Sequence, residues 1–450
     1  MQDETRITTV RAREVLDSRG KPTVEVEVTC GEAHGRAIAP SGASTGRFEA
    51  CELRDGDNQR YAGQGVLQAV ANVNNVLAPA VIGLDARDQR SLDQRLIETD
   101  GTDDKSRLGA NAILGVSLAA AHAAAAAQRM PLVRHLNRLW GQLVDSESAA
   151  GADDMCQMSM PLPMVNMISG GLHAGGQLDF QDYLIIPVGA ASYSEALEWI
   201  VDVYRKLGSL LRDAGHEGYL VGDEGGYGPK LPDNESALSF VVQAIECAGR
   251  EAGDDIAIGL DVASTHFFRD GAYYLKSESG ANLSAAELTQ RFVEWANRYP
   301  IVSIEDGLAE DDWDGWKTLT EALGDRLQLL GDDLFTTNVT RIEEGIRRGV
   351  ANSVLIKLNQ VGSLWETLQA IYLSRQAGYR PVVSARSGET EDATIADLAV
   401  ATAAGQIKIG SIARSERLAK YNQLLRLEDQ LGNEAPFAGG DIVRPAQRPT

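Results

Sequence analysis

Six polar residues stand at the ends of short apolar segments in the C-terminal part of the sequence. The segments are rich in Ile, Val and Leu, which is typical of buried strands. The polar residues at their ends are Asp261, Glu305, Asp332, Lys357, Ser384 and Lys408. The carboxyl ends of parallel strands meet at one edge, so we expect these acids and lysines to share a site. Such a set suits acid–base chemistry supported by a metal ion.

Three of these residues, Asp261, Glu305 and Asp332, are carboxylates. Placed together without a partner, they repel and raise one another's pKa. A hard divalent cation removes that conflict, and all-oxygen ligands with open coordination positions suit Mg²⁺. The alternative is a buried ion network in which the acids pair with Arg386 and with the lysines at the strand ends. We favour the metal site, because buried ion networks are weak stabilisers.

Lys357 is the candidate general base. It follows an apolar strand, and a partly buried lysine beside a metal ion and Lys408 has its pKa lowered towards the working range. The alternative is a lysine that extends from the barrel into solvent. Glu224 is a candidate acid, because it lies in a glycine-flanked turn, residues 221–226, that presents a carboxyl group to a cleft.

Two loops of small residues contain further candidates. Residues 40–46, with the sequence PSGASTG, are typical of a mobile lid, and an ordinary flexible turn is the alternative. Residues 169–176, with the sequence SGGLHAGG, contain His173. A lone histidine is usually structural or solvated, but one among so many glycines is hard to explain as part of a core. We therefore expect His173 to have a functional role.

The spacing of the strand ends predicts the architecture that positions these residues. From Glu305 onward they are roughly 25 residues apart, which is the length of a strand, a helix and two loops. Serial βα units close into a parallel barrel, and its catalytic groups cluster at the C-terminal ends of the strands. The sequence therefore predicts an α/β fold with a barrel domain over residues 161–450.

Residues 1–140 predict a smaller α+β domain. Residues 24–28 alternate apolar and polar side chains, as a half-buried strand does, and are expected to form a hairpin with residues 7–15. Helical patterns occur at residues 66–77, 88–98 and 110–128. The last is so rich in alanine that it must pack closely on a neighbour. Residues 141–160 are small and acidic, which favours a linker or an insertion between the two domains.

The composition limits the expected partners and location. With 42 Lys+Arg against 64 Asp+Glu, the net charge is −22, too acidic to attract nucleic acid through a general basic field. The most apolar run, residues 119–127, is too short to span a membrane, and the first ten residues lack the pattern of a signal peptide. The four cysteines form no paired motif, as in reduced proteins. We expect a cytoplasmic protein that binds neither nucleic acid nor a membrane.

Along nearly its whole length the sequence resembles the enolases. The resemblance rests on segments that follow one another in the family's order: PSGASTG, LGANAILGVSLA, GDEGG, SIEDGL, GDDLFTTN, LIKLNQVGSL, RSGETED and GQIKIG. It implies an enolase-type barrel, a modified TIM barrel whose first strands depart from simple βα repetition, with an N-terminal α+β lid domain. It also implies a small anionic three-carbon substrate and a homodimer or a higher homo-oligomer.

The resemblance implies a role for each candidate residue. Two Mg²⁺ ions per active site are implied, one of them linked to the substrate, and the matching ligands are Asp261, Glu305, Asp332 and Ser44. Lys357 matches the base that removes the C2 proton of 2-phosphoglycerate, and Glu224 matches the acid that helps the C3 hydroxyl leave. The positions that bind the substrate are matched by His173 and Asp182, by Arg386 and Ser387 as the phosphate clamp, and by Lys408 at the substrate carboxylate.

Three positions depart from the enolase pattern. Ala385 stands where enolases have an active-site histidine, Asp182 where they have glutamate, and Ile409 where a threonine is usual. The first two changes fall on the phosphoryl and leaving-group side, whereas the metal ligands and Lys357 are retained. Loss of one positioned polar group commonly costs about 10²–10³ in rate, which we do not expect a housekeeping glycolytic enzyme to tolerate.

The sequence therefore predicts a diverged, Mg²⁺-dependent lyase-type enzyme that forms or handles an enolpyruvate ester with an altered phosphoryl-side group. The carboxyphosphonoenolpyruvate synthases of phosphonate antibiotic biosynthesis resemble this situation, because removal of an imidazole opens room for a group bulkier than phosphate. One alternative is an ordinary phosphopyruvate hydratase, which converts 2-phosphoglycerate to phosphoenolpyruvate in glycolysis. Another is a non-catalytic enolase-like binding protein, but the retained Lys357, Glu224 and metal ligands argue against it.

Overall fold

The N-terminal part of the chain pairs a three-stranded antiparallel sheet with helices. A computed structural model describes residues 4–43, 45–147 and 155–443. The strands are β1 Ile7–Leu16, β2 Pro22–Cys30 and β3 Ala33–Ile38. The helices are α1 Leu67–Asn72, α2 Ala78–Val81, α3 Gln89–Asp100, α4 Ala110–Ala127 and α5 Leu132–Glu147, with a π-helical turn at Val73–Leu77 joining α1 to α2. Strands β1 and β2 pair in an antiparallel hairpin, as the alternating pattern predicts.

Helix α4 packs on β2 and β3 at the centre of this domain. A Cβ atom built on Gly35 would lie 2.2 Å from both Ala119 O and Ala123 N, so the strand and helix backbones touch and only glycine fits. The close approach predicted from the alanines is confirmed. Among the described residues, α4 is also the one helix long and apolar enough to cross a membrane, but 83% of it is buried inside the molecule.

Helix α5 differs from the expected linker at residues 141–160. The helix continues to Glu147, so a domain boundary at residue 140 falls inside it. The buried face of α5 includes Leu136, Leu139 and Leu143. Their spacing of three and four residues is typical of a helix, although this helix was not predicted from the sequence. Residues 148–154 of the expected linker lie outside the described residues.

The C-terminal part contains a closed barrel of eight strands. The barrel strands are β4 Leu162–Ser169, β5 Asp182–Ile186, β6 Ala257–Asp261, β10 Ile301–Glu305, β11 Gln328–Gly331, β12 Ser353–Ile356, β13 Arg380–Ser384 and β14 Gln406–Gly410. Between β6 and β10 the chain forms a small antiparallel ribbon of three strands: β7 Phe268–Arg269, β8 Ala272–Leu275 and β9 Ala281–Leu283. All six predicted strands are present. Strand β5 runs antiparallel to β4 and β6, whereas the other neighbouring barrel pairs are parallel. The enolase-type departure from βα repetition is thereby confirmed.

Helices surround the barrel, and apolar side chains fill it. The helices are α6 Tyr193–Asp213, α7 Asn234–Cys247, α8 Ala285–Arg298, α9 Trp313–Leu323, α10 Val339–Arg348, α11 Leu358–Val361, α12 Leu364–Gln376, α13 Thr394–Ala401 and α14 Ser415–Leu431. A buried cluster that includes Met164, Leu184, Leu330, Leu355 and Val382 draws on five of the barrel strands. The barrel is therefore a packed core, and its polar chemistry is confined to the mouth.

Candidate active site

The barrel mouth gathers the residues at the strand ends. Asp261 is the last residue of β6 and Glu305 is the last of β10, whereas Asp332 follows β11 directly. Lys357 follows β12, and Lys408 lies within β14. The side chains of all five are largely buried. Parallel strand direction thus brings together groups that the sequence separates widely.

Each of the two lysines contacts the acids directly. Lys408 Nζ lies 2.8 Å from Asp261 Oδ2 and 2.7 Å from Glu305 Oε2, so one cation is shared by two carboxylates. Lys357 Nζ lies 2.5 Å from Asp332 Oδ2. The lysine–carboxylate pairs expected for the ion network are therefore formed.

The donor set also fits a divalent cation, because the mouth contains more carboxylates than these lysines can neutralise. Burial and neighbouring carboxylates raise the pKa values of Glu305, Asp306 and Asp333 well above their ordinary range. Burial also acts on Asp332, but Lys357 outweighs it and lowers the pKa of that acid. Carboxylate oxygens of Asp306, Asp332 and Asp333 lie within 4.8 Å of one another. Surplus negative charge on oxygen ligands is what a hard cation relieves.

Pairing with the acids keeps both lysines charged. Burial favours the neutral amine of Lys357, but the neighbouring carboxylates, Asp332 foremost and Glu305 with it, together raise the pKa above its ordinary value. Burial likewise opposes the charge on Lys408, yet Asp261 and Glu305 raise its pKa well above the ordinary value. The lowered pKa predicted for Lys357 presupposes a bound cation, and in the arrangement described here the shift has the opposite sign.

A second group forms at the glycine-rich loop around His173. His173 Nδ1 lies 3.0 Å from Asp182 Oδ2, and side-chain atoms of His173, Asp182 and Glu224 lie within 4.8 Å of one another. Burial opposes the imidazolium, but the two carboxylates raise the pKa of His173 to about 9. Burial raises the pKa of Asp182 to about 6, whereas the charge of His173 overcomes burial and lowers the pKa of Glu224. At neutral pH His173 therefore holds the proton of this group, and Glu224 is a carboxylate.

In the predicted phosphate clamp, Arg386 is paired with Glu49, a residue that was not predicted from the sequence. Arg386 Nη1 donates to Glu49 Oε2 at 2.9 Å and to Asn359 Oδ1 at 2.9 Å. Glu49 Oε1 also accepts from Gly46 N at 3.0 Å, so this carboxylate ties the lid loop to the clamp. Only the position of Glu49, three residues after the lid sequence, pointed to it. Ser387 Oγ accepts from the lid residue Ala43 N at 2.6 Å, which places both clamp residues against the lid.

The lid itself is described on both sides of the predicted ligand Ser44, which lies outside the described residues. Ser41 forms an isolated bridge with Gly388, and Arg19 Nη2 donates to Ser41 Oγ at 2.9 Å. At Gly46 a Cβ atom would lie 2.6 Å from Thr336 Cγ2, so the loop touches the barrel loop after β11. The lid thus contacts the barrel mouth on both sides of residue 44.

Ala385 and Ile409 lie at matching positions near the ends of two neighbouring strands. Strand pairing matches Ser384 with Lys408, so Ala385 and Ile409 each lie one residue beyond that pair. Both side chains are buried in the same apolar cluster. A cavity of about 20 Å³, which holds about one water molecule, is lined by Ser384, Arg386 and Asn359 but not by Ala385. Room for a bulkier group beside Ala385 stays a prediction.

Comparison with known families gives two matches along the chain. The family model described as "Enolase, N-terminal domain" matches residues 7–136, and the one described as "Enolase, C-terminal TIM barrel domain" matches residues 157–446. The two matches follow in order and together include every described candidate residue of the barrel mouth and the lid. The stretch between them begins within α5 and ends shortly before β4.

Proposed function

The chain belongs to the enolase family, and from that premise we propose that it is a diverged, Mg²⁺-dependent member that forms or handles an enolpyruvate ester with an altered phosphoryl-side group. The observation that carries the proposal is a contrast within one mouth. The acid–lysine group is complete and buried, whereas Ala385 and Ile409 form apolar packing where enolases have polar side chains. A carboxyphosphonoenolpyruvate synthase is the kind of enzyme that fits this contrast.

Lys357 is the group proposed to remove the proton α to the substrate carboxylate. Its ammonium is held at Asp332, so the amine must first lose its proton and that partner must be engaged elsewhere. Asp261, Glu305 and Asp332 would hold a divalent cation, which would supply positive charge beside the carbon that loses its proton and would engage the carboxylates that keep the lysines charged. Lys408, buried at the same mouth, then pairs with the substrate carboxylate and stabilises the developing charge.

The leaving-group side is proposed to act through His173, Asp182 and Glu224 as one unit. His173 carries the proton, and Asp182 fixes the ring through Nδ1. Glu224, predicted as the acid, has a carboxylate oxygen within 4.8 Å of the ligand atoms of His173 and Asp182, and is proposed to pass a proton from this group to a departing hydroxyl. The shorter Asp182 binds the imidazole, and Asn166 Nδ2 also donates to its other oxygen, Oδ1.

The phosphoryl side is proposed to open by displacement of Glu49. Arg386 is buried and fully engaged by Glu49 and Asn359, so an anionic group reaches the guanidinium only by taking the place of the Glu49 carboxylate. Because Glu49 also binds Gly46 N, this exchange releases the lid loop at the same time. Binding of the anion and movement of the lid are thereby linked through one side chain.

The test is to follow two reactions of 2-phosphoglycerate with Mg²⁺: exchange of its C2 proton with solvent deuterium, and formation of phosphoenolpyruvate. We expect measurable exchange, because the acid–lysine group is complete, and phosphoenolpyruvate formation about 10²–10³ below that of ordinary enolases. Turnover within tenfold of ordinary enolases would instead establish the hydratase alternative. Addition of a chelator should abolish both reactions.

Calorimetry separates the catalytic proposal from a non-catalytic binding protein. We expect Mg²⁺ to bind, and phosphoenolpyruvate to bind in its presence. If neither binds, the catalytic account fails. The cytoplasmic location and the homodimer or higher homo-oligomer stay predictions, which cell fractionation and light scattering of the purified protein would check.

A further inference from the structure

A cavity of about 620 Å³ lies beside the candidate active site, and no step proposed above uses it. It opens between the loop that carries His173 and residues 263–280, which include the ribbon strands β7 and β8. Sites for small organic ligands commonly measure about 300–1,000 Å³. The cavity is therefore large enough for a complete ligand, and much larger than a three-carbon phosphoester requires.

Gln181 connects this cavity with the metal-site carboxylates. It lines the cavity, and its Nε2 donates to Asp261 Oδ2 at 3.1 Å. The side chain is buried, yet its Oε1 has no hydrogen-bond partner among the described residues. A buried acceptor without a donor costs free energy, so a ligand that donates a hydrogen bond here would be stabilised. Gln181 therefore both lines the cavity and contacts a carboxylate of the barrel mouth.

Two cations give the cavity its charge. Arg269 and Lys276 are exposed residues of its lining, and the side chain of neither makes a hydrogen bond or an ion pair with another described residue. Asp179, the one acid among the described lining residues, is engaged by Ser277 and by Asn234 Nδ2. In a chain of net charge −22, two uncompensated cations at one cavity favour an anion.

The same cavity exposes large apolar side chains. Leu172, in the His173 loop, is 53% exposed, and Tyr274, in β8, is 46% exposed. Phe267 also belongs to the lining. Exposed apolar groups around a cavity favour a ligand with an apolar surface, and an aromatic ring covers such side chains well. The chemistry of the walls is therefore amphipathic, with apolar and cationic groups on one lining.

We propose that this cavity binds an organic anion whose charge is carried on an aromatic or similarly flat apolar body. Within the proposed function, it holds the part of the substrate that extends beyond the three-carbon unit at the barrel mouth. That second statement rests on the proposed function, whereas the binding of the anion does not.

The probe is 4-nitrophenyl phosphate, added to the full-length protein and measured by calorimetry against inorganic phosphate and 4-nitrophenol. We expect the probe to bind about tenfold more tightly than either of these parts alone. The double variant Arg269→Gln/Lys276→Gln should weaken the probe about tenfold, and Tyr274→Ala should reduce its advantage over phosphate. The control Arg347→Gln/Arg348→Gln removes two charges from the exposed end of α10 and should leave binding unchanged.

Three results would overturn the assignment: no binding at millimolar probe, equal loss in the control variant, or full displacement by phosphoenolpyruvate with no effect of Arg269→Gln/Lys276→Gln. The last would place the probe at Arg386 instead of the cavity. Probe binding with the expected variant pattern, but without C2 proton exchange, would keep the cavity assignment and reject the proposed function. Exchange without probe binding would do the reverse.

Discussion

The two sides of the barrel mouth are built differently. On the side of Lys357 and Lys408, buried charges are held in direct contact with carboxylates at 2.5–2.8 Å. On the side of Ala385, a small apolar residue and Ile409 pack in one buried cluster. Buried ion pairs add little stability, whereas apolar burial adds it directly. Fold stability alone therefore does not explain the buried charges beside the two lysines, which supports the chemistry proposed for that side.

The two sides also differ in the chain segments that supply their side chains. The acid–lysine group is complete within the barrel, since every partner comes from a strand end or the residue after it. The clamp residue Arg386 depends on Glu49, which comes from the segment after the lid. Under the proposed function, proton removal thus depends on barrel residues, whereas phosphoryl-side binding also requires Glu49 to be displaced.

Lys357→Ala should remove the proposed base from the lysine side of the barrel mouth. We expect C2 proton exchange to fall about 10³-fold, because the proposed base is removed. Mg²⁺ binding measured by calorimetry should persist, since the acids remain. Lys317→Ala, an exposed lysine on α9, is the matched control and should leave exchange unchanged. Exchange that persists in Lys357→Ala would mean that another group is the base.

Ala385→His combined with Ile409→Thr should restore enolase-like polar side chains on the Ala385 side of the barrel mouth. We expect phosphoenolpyruvate formation from 2-phosphoglycerate to rise about 10²-fold, because a positioned polar group is restored. Ala385→His alone should gain less, since a larger side chain in this buried cluster causes overpacking that costs about 1–3 kcal/mol. Ile409→Thr alone is the control. No rise in any of the three would show that these residues do not explain the divergence.

Asp182→Asn tests whether the Asp182 carboxylate is what raises the pKa of His173. Removal of the carboxylate at Nδ1 should bring the pKa of His173 down from about 9 towards its ordinary value. Histidine signals in an NMR titration report this directly, and the exposed His34 in the same spectra is an internal control. A His173 pKa that stays near 9 would assign the shift to Glu224 instead.

The titration of Asp93 tests the contact between α3 of the N-terminal domain and α12 of the barrel domain. Its Oδ2 accepts from Trp365 N at 2.8 Å, and burial raises its pKa to about 7. The protonated form is favoured on folding, so its contribution to stability is full below the unfolded pKa of about 3.9 and is lost as pH rises through 7. Between about pH 4 and pH 7, the wild type should lose up to about 1.4 kcal/mol of unfolding free energy per pH unit relative to Asp93→Asn, and above pH 7 the two profiles should run parallel.

Denaturant unfolding between about pH 4 and 7 measures this difference in slope. Asp254→Asn, at an exposed position, is the control and should keep the wild-type slope. Parallel pH profiles for wild type and Asp93→Asn would show that Asp93 does not titrate in this range. Comparison of slopes also removes any constant loss of stability that the substitution itself causes.

Much of the barrel and its site could be predicted because the information is local. A run such as Ile301–Glu305 shows both its strand character and its polar end within five residues. Strand β4 was missed because Pro163 and Asn166 interrupt its apolar run. Helix α5 was missed although its periodicity is clear. Glu49 was missed because nothing near it in sequence indicates Arg386, which lies far along the chain.

By itself, the sequence determined the family, the barrel with its N-terminal α+β domain, and the set of acids and lysines at the strand ends. These follow from residue types and spacing, which depend on short-range chain geometry. Only the tertiary structure decided that Glu49 pairs with Arg386, that Ala385 and Ile409 are both buried, and that the large cavity lies beside Gln181. Those features depend on which side chains meet across strands and domains, and the packing of distant segments alone establishes that.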